Sequence, residues 1–592
     1  MPQALSPRIY NWLLLGVAGL GGLLYGVDVG IISGALPYLE ATSGLNPGQL
    51  SFIVAAVLLG SVISTLFAGM LADWMGRRLL MTLSGLLFIA SIPMIALSHG
   101  YGPLVLGRLL QGVSGGLIGV VVPLYLAECL GASERGRGTG IFQWLLTLGI
   151  VAAAFIGIYY SIRVERVARL ADAALLFAFK DRAWRSIFWV SLPPGILFVL
   201  GSRAVAESPR WLFSRGRREE ALASLLRSRP PEKAAAELGE MAAAAAQAGR
   251  KAAPERGRET LLRRKYILPF VLACVILACN QATGVNSIIG YNTMILLQAG
   301  LSDVQAHWGY LGLTLVNFLT TIAGFMLVDR MGRKPLLCIG SAGIIVSLLA
   351  AGLVFRRTEV RRVDCRDAVQ ALVTPGQRAT VPFRSPSAAA LLATEGDAGR
   401  GIAASPSSLI VIYSYGDFRA VTRVVRSDDP ASRPIEIARE ACLPANRVVA
   451  FFSNPFASLE QARSAPLRIE NALVTPVPTE ASGWLTAGCI YAFMAFFALG
   501  PGVCAWLALS ELMPTRIRSN GMSLALLANQ AVSTTIAATF LPTVGRHGYS
   551  TMFFLFAGCT VVYFLTAAFI LPETKGRTLE EIERHFEGNG AD

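Results

Sequence analysis

The sequence predicts an all-α membrane protein of twelve transmembrane helices in two six-helix bundles, with a small α/β domain inserted between helices 9 and 10. Three observations carry this prediction. The chain has 592 residues, of which 54% are hydrophobic and 15% charged, against about 25% charged in soluble proteins; its mean hydropathy is +0.54. Short basic loop motifs recur in the same order in both halves. The spacing between those motifs then shows where one half has gained residues.

A helix needs about 20 apolar residues to cross a bilayer. Runs near 11–36, 48–71, 79–98, 103–127, 139–162 and 186–203 qualify, as do 266–294, 306–328, 335–355, 484–510, 521–541 and 550–571. The first run is too long for a cleavable signal peptide and reads as a span. Six spans form an N-terminal bundle over 1–203. A basic, Ala- and Glu-rich linker over 204–264 is expected to form short helices. The other six spans form a C-terminal bundle over 265–355 and 483–571, and a tail covers 572–592.

"DWMGRR" (73–78) recurs as "DRMGRK" (329–334), and "AECLGASERGR" (127–137) as "SELMPTRIRSN" (510–520). This is the mark of a duplicated six-helix unit. Asp73 and Glu128 are 55 residues apart, whereas Asp329 and Glu511 are 182 apart. The second half therefore holds about 127 extra residues, matching a polar block over 356–482. In that block 408–415, 418–426, 447–452 and 466–474 read as strands, and 364–373 and 456–464 as helices.

The basic loops all fall on one side of the twelve spans. By the positive-inside rule that side is the cytoplasm, with both termini there and the block outside. The net charge of +14 is thus a topology signal, and no nucleic-acid partner is expected. The nine cysteines show no metal spacing, and His99, His307, His547 and His585 are scattered. They read as surface or core filler, so no metal or cofactor is expected. The block shows no nucleophile–base pair, which argues against an enzyme. Its only cysteines, Cys365 and Cys442, are expected to form a disulfide in an oxidising compartment, with free thiols as the alternative.

Acid–base pairs sit where the helices reach the basic side: Asp73 with Arg77 and Arg78, and Glu128 with Arg135. Asp329 with Arg333 and Glu511 with Arg518 repeat them, and Glu207 and Arg210 join the set. Ion pairs of modest strength there suit a lock that opens once per cycle.

These motifs, in this order, resemble the sugar-porter family of the major facilitator superfamily. The likeness rests on "GRR" and "GRK", "PLYLAECLGASERGRG" (123–138), "ESPRWL" (207–212), "NQATGVNSIIGYN" (280–292) and "PETKGRTLEEIE" (572–583). It covers nearly the whole chain except 356–482. It implies two six-helix bundles around a central site for a monosaccharide or polyol. The sugar contacts it implies are Gln143, Asn280, Gln281, Asn286, Tyr291, Asn317, Trp506 and Asn529. Amides both donate and accept, which suits sugar hydroxyls. Asn280, Gly290, Ile150, Gln530 and Ala498 depart from the family pattern and leave the particular sugar open. None of the implied contacts lies in the block, so it is expected to be dispensable for the transport chemistry.

Asp28 is the only charge between Trp12 and Leu36. A carboxylate at mid-bilayer costs about 2.5–3.5 kcal/mol on insertion scales. The resemblance matches it to the acidic position of proton-coupled members, paired with Arg108 on helix 4. Counting about 1.5 Å per residue from the helix ends puts the two at similar depth. The expected function is secondary active transport of a monosaccharide or polyol with a proton, across a bacterial inner membrane. A facilitative uniporter or a transporter-like sensor are the alternatives.

Overall fold

The protein is described here by a computed structural model. It covers residues 6–130, 135–170, 172–251, 264–403, 405–429, 433–444, 447, 450, 454, 457–513, 518–573, 575 and 586. Within these, the side chains of 135–139, 244–251, 264–265, 329, 397–398, 506–511, 518–520 and 523 are left undescribed.

Among the described residues, twelve helical segments are long and apolar enough to cross a membrane. Span 1 (Pro7–Ser43) has Pro at its first turn and ends at Gly44 in the left-handed conformation, the favoured stop signal. Span 2 (Pro47–Met75) opens on a capping box between Asn46 and Gln49. Span 8 (Asp303–Met331) opens on another between Ser302 and Gln305. Each satisfies orphan amides at a helix start. Spans 1 and 5 press backbone to backbone: a Cβ on Gly26 would stand 1.8 Å from the Leu146 carbonyl oxygen. Small residues permit such contact where lipid gives no hydrophobic drive for helix association. Span 7 is broken into Arg264–Ala282, Val285–Gly290 and Asn292–Gln298. The break is at Gly284, whose φ of 82° suits glycine.

The linker forms helices Pro209–Ser214, Arg218–Ser228 and Pro231–Lys251. Between span 9 (Arg333–Glu359) and span 10 (Glu480–Leu499) lies the α/β insert. Its strands are β1 (Val363–Asp364), β2 (Ala379–Val381), β3 (Ser407–Tyr415), β4 (Phe418–Val421), β5 (Val425–Arg426), β6 (Ile435–Ile437) and β7 (Leu467–Pro476). One antiparallel sheet runs β1-β7-β3-β4 with β5 also on β3, and β2 pairs with β6. Val369, Val381, Leu392, Leu409, Val411 and Ile469 fill a core of the insert's own.

Strands at 408–415 and 466–474 match the expectation, and 418–426 divides into β4 and β5. The strand expected at 447–452 falls largely outside the described residues. The helix expected over 364–373 shrinks to Arg366–Gln370, because Val363 and Asp364 pair with β7. The expected disulfide is corrected: Cys365 and Cys442 are free thiols. Cys365 follows β1, while the Cys442 thiol donates to the Phe418 carbonyl of β4. These are opposite edges of the sheet. Three strand spacings of about 4.8 Å separate them, beyond the roughly 7 Å Cα reach of a disulfide.

The buried apolar residues show how the halves meet. At the face carrying the insert, one continuous cluster joins Ile32, Leu36 and Val54 of the first half to Tyr291, Met294 and Phe540 of the second. At the opposite, basic face the described residues form two separate clusters. One, around Leu80 and Ile118, lies wholly in the first half; the other, around Leu337 and Ala525, wholly in the second.

Candidate transport site

The broken seventh span gathers a polar cluster. Asn286, just past the break, donates to Gln281 Oε1 at 2.9 Å and to Ser533 Oγ at 2.8 Å. Gln281 donates to Asn529 Oδ1 at 3.4 Å, and Asn529 Nδ2 donates to the Leu277 carbonyl at 2.9 Å. Three of the implied sugar contacts thus meet between span 7 and span 11 (Arg518–His547). Ser533, one turn after Asn529, belongs with them and was not anticipated. Helix periodicity from Asn529 was the signal that could have found it.

The other implied contacts are placed differently. Asn280 is buried and donates to the Pro501 carbonyl at 3.0 Å. Tyr291 is fully buried, donates to the Ala537 carbonyl at 2.8 Å and stacks on Phe540 at 4.5 Å. The Asn280 amide nitrogen and the Tyr291 hydroxyl are thus engaged by backbone. Gln143 and Asn317 are half-buried on spans 5 and 8. Their chain neighbours Trp144 and Phe318 meet there, with ring centroids 6.0 Å apart. The Trp506 side chain lies outside the described residues.

Asp28 and Arg108 are brought together as expected, Oδ1 to Nη1 at 3.6 Å, both essentially fully buried. The contact is long for a charge-assisted hydrogen bond, ordinarily about 2.7–2.9 Å. Neither Asp28 oxygen has a hydrogen-bond partner among the described residues. Arg108 Nη1 instead donates to Gln111 Oε1 at 2.6 Å, and its guanidinium lies 5.6 Å from the centre of the Phe188 ring. Gly115 makes room: a Cβ there would sit 3.3 Å from Asp28 Oδ2.

At the basic face Arg77 grips Glu128 with two nitrogens, at 2.9 Å each, and bonds Asp73 at 2.9 Å. Glu128, expected to pair with Arg135, is held by Arg77 and by the Ser208 hydroxyl. The side chains of Arg135, Asp329, Glu511 and Arg518 lie outside the described residues. Glu207 does not pair with Arg210, which is exposed. It accepts instead from the Arg77 and Arg78 amides, at 2.9 and 3.1 Å. Arg78 donates to the Arg203 carbonyl at 2.6 Å. The second half repeats the device: Glu573 accepts from the Arg333 and Lys334 amides at 3.1 Å each. A carboxylate at a helix N-terminus meets free amides and the positive dipole end. Glu573 stands in "PETKGR", and its pairing with the second "GRK" loop was missed because 240 residues separate them.

Among the described residues, hydrogen bonds between the halves cluster at the insert's face. Ser33 and Thr293 hydroxyls meet at 3.0 Å. Tyr38 donates to Asp303 at 2.7 Å, and Tyr310 to the Gly30 carbonyl at 2.9 Å. His307, read from sequence as filler, is fully buried there, stacked on Tyr38 at 5.8 Å, with Nε2 3.3 Å from the Gly34 carbonyl.

Two repeated bundles, joined at one face and, among the described residues, separate at the other, with a polar cluster around a broken helix of the second, are the build of a secondary transporter. The chain belongs to the sugar transporter family, the sugar porters of the major facilitator superfamily. The family described as "Sugar (and other) transporter" matches residues 14–368 and 471–586, leaving out the middle of the insert. Its relatives include the putative metabolite transport protein YwtG of Bacillus subtilis (strain 168), 25% identical over 97% of this chain and 94% of the relative. The proton myo-inositol cotransporter of Homo sapiens is 27% identical over 96% of this chain and 81% of its own length. Among solved structures, the inward-open xylose transporter XylE from E. coli aligns over 97% of this chain and 100% of its own, with TM-score 0.63 at 19% identity. At that identity the likeness speaks for the fold. The protein is thus a multi-pass membrane transporter, not an enzyme.

Proposed function

We infer that the protein carries a monosaccharide or related polyol in symport with a proton, by alternating access of the site between spans 7 and 11. The basic face is the cytoplasmic one, with both termini there, and the insert lies outside. The structure then corresponds to an inward-facing state, closed at the outer face by the Ser33, Tyr38 and Tyr310 bonds.

The observation that carries the proton reading is the loose Asp28–Arg108 contact at 3.6 Å, with no other donor on the carboxylate among the described residues. Burial favours a neutral acid, and a nearby guanidinium favours the anion. Movement of Arg108 between states therefore tips the balance and loads or releases the proton. One proton moving down about 150 mV supplies roughly 3.5 kcal/mol, enough for a gradient of about three hundredfold. Relatives whose names specify a proton myo-inositol cotransporter and a glucose transporter, GlcP of Staphylococcus epidermidis, support this solute class.

Gln281, Asn286 and Asn529 offer the hydroxyl-binding amides, joined by Gln143, Asn317 and Trp506. Asn280 and Tyr291, engaged by backbone, position the seventh span. The test is uptake of labelled hexoses, pentoses and cyclic polyols into proteoliposomes, with and without an inward proton gradient. Accumulation of one of them only with the gradient is expected. Equilibration without accumulation would make the protein a uniporter.

A further inference from the structure

The insert is rooted in one half and touches both. It leaves span 9 and returns to span 10, both in the C-terminal half, and it packs tightly there. A Cβ on Gly545 of span 11 would meet Val421 Cγ1 at 2.7 Å, and one on Gly300 would meet the Pro478 carbonyl oxygen at 2.3 Å. Arg426 donates to the Leu297 carbonyl at 3.4 Å and is held by Asp428 at 2.7 and 2.9 Å.

Across the mouth the contacts differ in kind. Asn46, in the turn between spans 1 and 2, donates to the Ala441 carbonyl at 3.2 Å. The Arg433 guanidinium lies 3.8 Å from the centre of the Phe177 ring in helix Ala173–Trp189, which leads into span 6. Arg423 donates to the Arg433 carbonyl at 3.1 Å, fixing that segment to the insert. The side facing the N-terminal half is thus fastened by point contacts. Beneath lies a roofed cavity with Glu40 and Pro47 from the first half, Leu297 and Tyr549 from the second, and Arg426 and Thr475 from the insert.

We propose that the insert is an outer latch: it moves with the C-terminal half and grips the N-terminal half, through Asn46 and Phe177, when the outer mouth is closed. This rests on the alternating-access reading. Rocking one half against the other to open that mouth pulls Asn46 from Ala441 and Phe177 from Arg433, whereas the packed contacts to spans 7 and 11 persist. A state-specific contact biases the equilibrium by its whole free energy. One hydrogen bond and one cation–π contact at a partly exposed site are together worth about tenfold in population. The insert thereby sets how often the outer mouth opens without touching the solute.

The test uses the full chain in proteoliposomes with Gly290→Cys as reporter. Gly290 is buried between the halves, and a Cβ there meets Val54 at 3.6 Å and Ile32 at 3.9 Å, ordinary contacts. The rate of labelling by a membrane-impermeant maleimide from the outer side reports mouth opening, after subtraction of the native-thiol background measured without the reporter. Asn46→Asp with Arg433→Ala is expected to raise the rate about tenfold; the aspartate still accepts from the Gln49 amide that Asn46 caps but has no donor for the Ala441 carbonyl. Asn46→Asp with Phe177→Leu leaves the insert's own residues intact and is expected to do the same. Rates within twofold of the parent for both pairs would overturn the latch. The labelling needs no solute, so it decides the latch separately from sugar uptake, which decides the transport reading.

Discussion

In the proposed solute site, Asn286 is the residue that ties the polar cluster together. Its amide serves two acceptors at once, Gln281 and Ser533, so it fixes both the site and the junction of spans 7 and 11. Losing a hydrogen-bonding partner to a buried hydroxyl costs about 1–3 kcal/mol, about ten- to a hundredfold in affinity. Asn286→Ala should weaken sugar binding by that factor in isothermal titration. Tyr291→Phe is its counterpart. It strips the donor from the Ala537 carbonyl, so it should lower the melting temperature while sugar affinity stays within about threefold, below the roughly 1 kcal/mol of a typical hydrogen bond. Sequence named both residues but did not separate these roles. An amide or phenol in an apolar helix reads alike whether it faces a solute or a neighbouring carbonyl. Asp28 was legible because a charge among apolar residues must find a partner, and the family resemblance named Arg108 as that partner; Gln111, which draws Arg108 away, carries no such signal.

At the scale of the element, the two "MGR" turns are built alike. Gly76 (φ 92°, ψ 158°) and Gly332 (φ 92°, ψ 171°) occupy a region nearly closed to other residues, where a side chain costs about 1–3 kcal/mol. A Cβ would also stand 2.5 Å from Glu207 Oε2 at Gly76 and 2.8 Å from Glu573 Oε2 at Gly332. Gly76→Ala and Gly332→Ala should each lower the melting temperature by several degrees and expose Glu207 or Glu573 to carbodiimide labelling. The insert offers an element-scale titration. Burial pushes the Cys365 thiol up to about 12 and the Cys442 thiol up to about 11, from 9.0. The folded state holds these protons more tightly than the unfolded state does. Its advantage is full below pH 9 and is lost as pH rises through 11 and then 12. Urea denaturation followed by a fluorophore on the insert should show falling stability above pH 9. With Cys365→Ala and Cys442→Ala together, that fall should shrink.

For the whole molecule, the spans and the repeat were legible because bilayer thickness fixes span length and duplication fixes motif order. The insert's place followed from unequal spacing. Its strand order did not, because β7 pairs with β3 across more than fifty residues and no local pattern encodes that pairing. Nor did the state of the molecule. The shared core at one face and the divided cores at the other are a property of how the halves meet, and each half's sequence is compatible with both arrangements. The central claim is that Asp28 couples proton to sugar. The most direct measurement is the external pH change on adding the transported sugar to proteoliposomes without an imposed gradient, for the wild type and Asp28→Asn. The account predicts sugar-induced alkalinisation with the wild type and none with Asp28→Asn, which still exchanges labelled for unlabelled sugar. Alkalinisation by Asp28→Asn equal to the wild type's, or its absence from an active wild type, would contradict it.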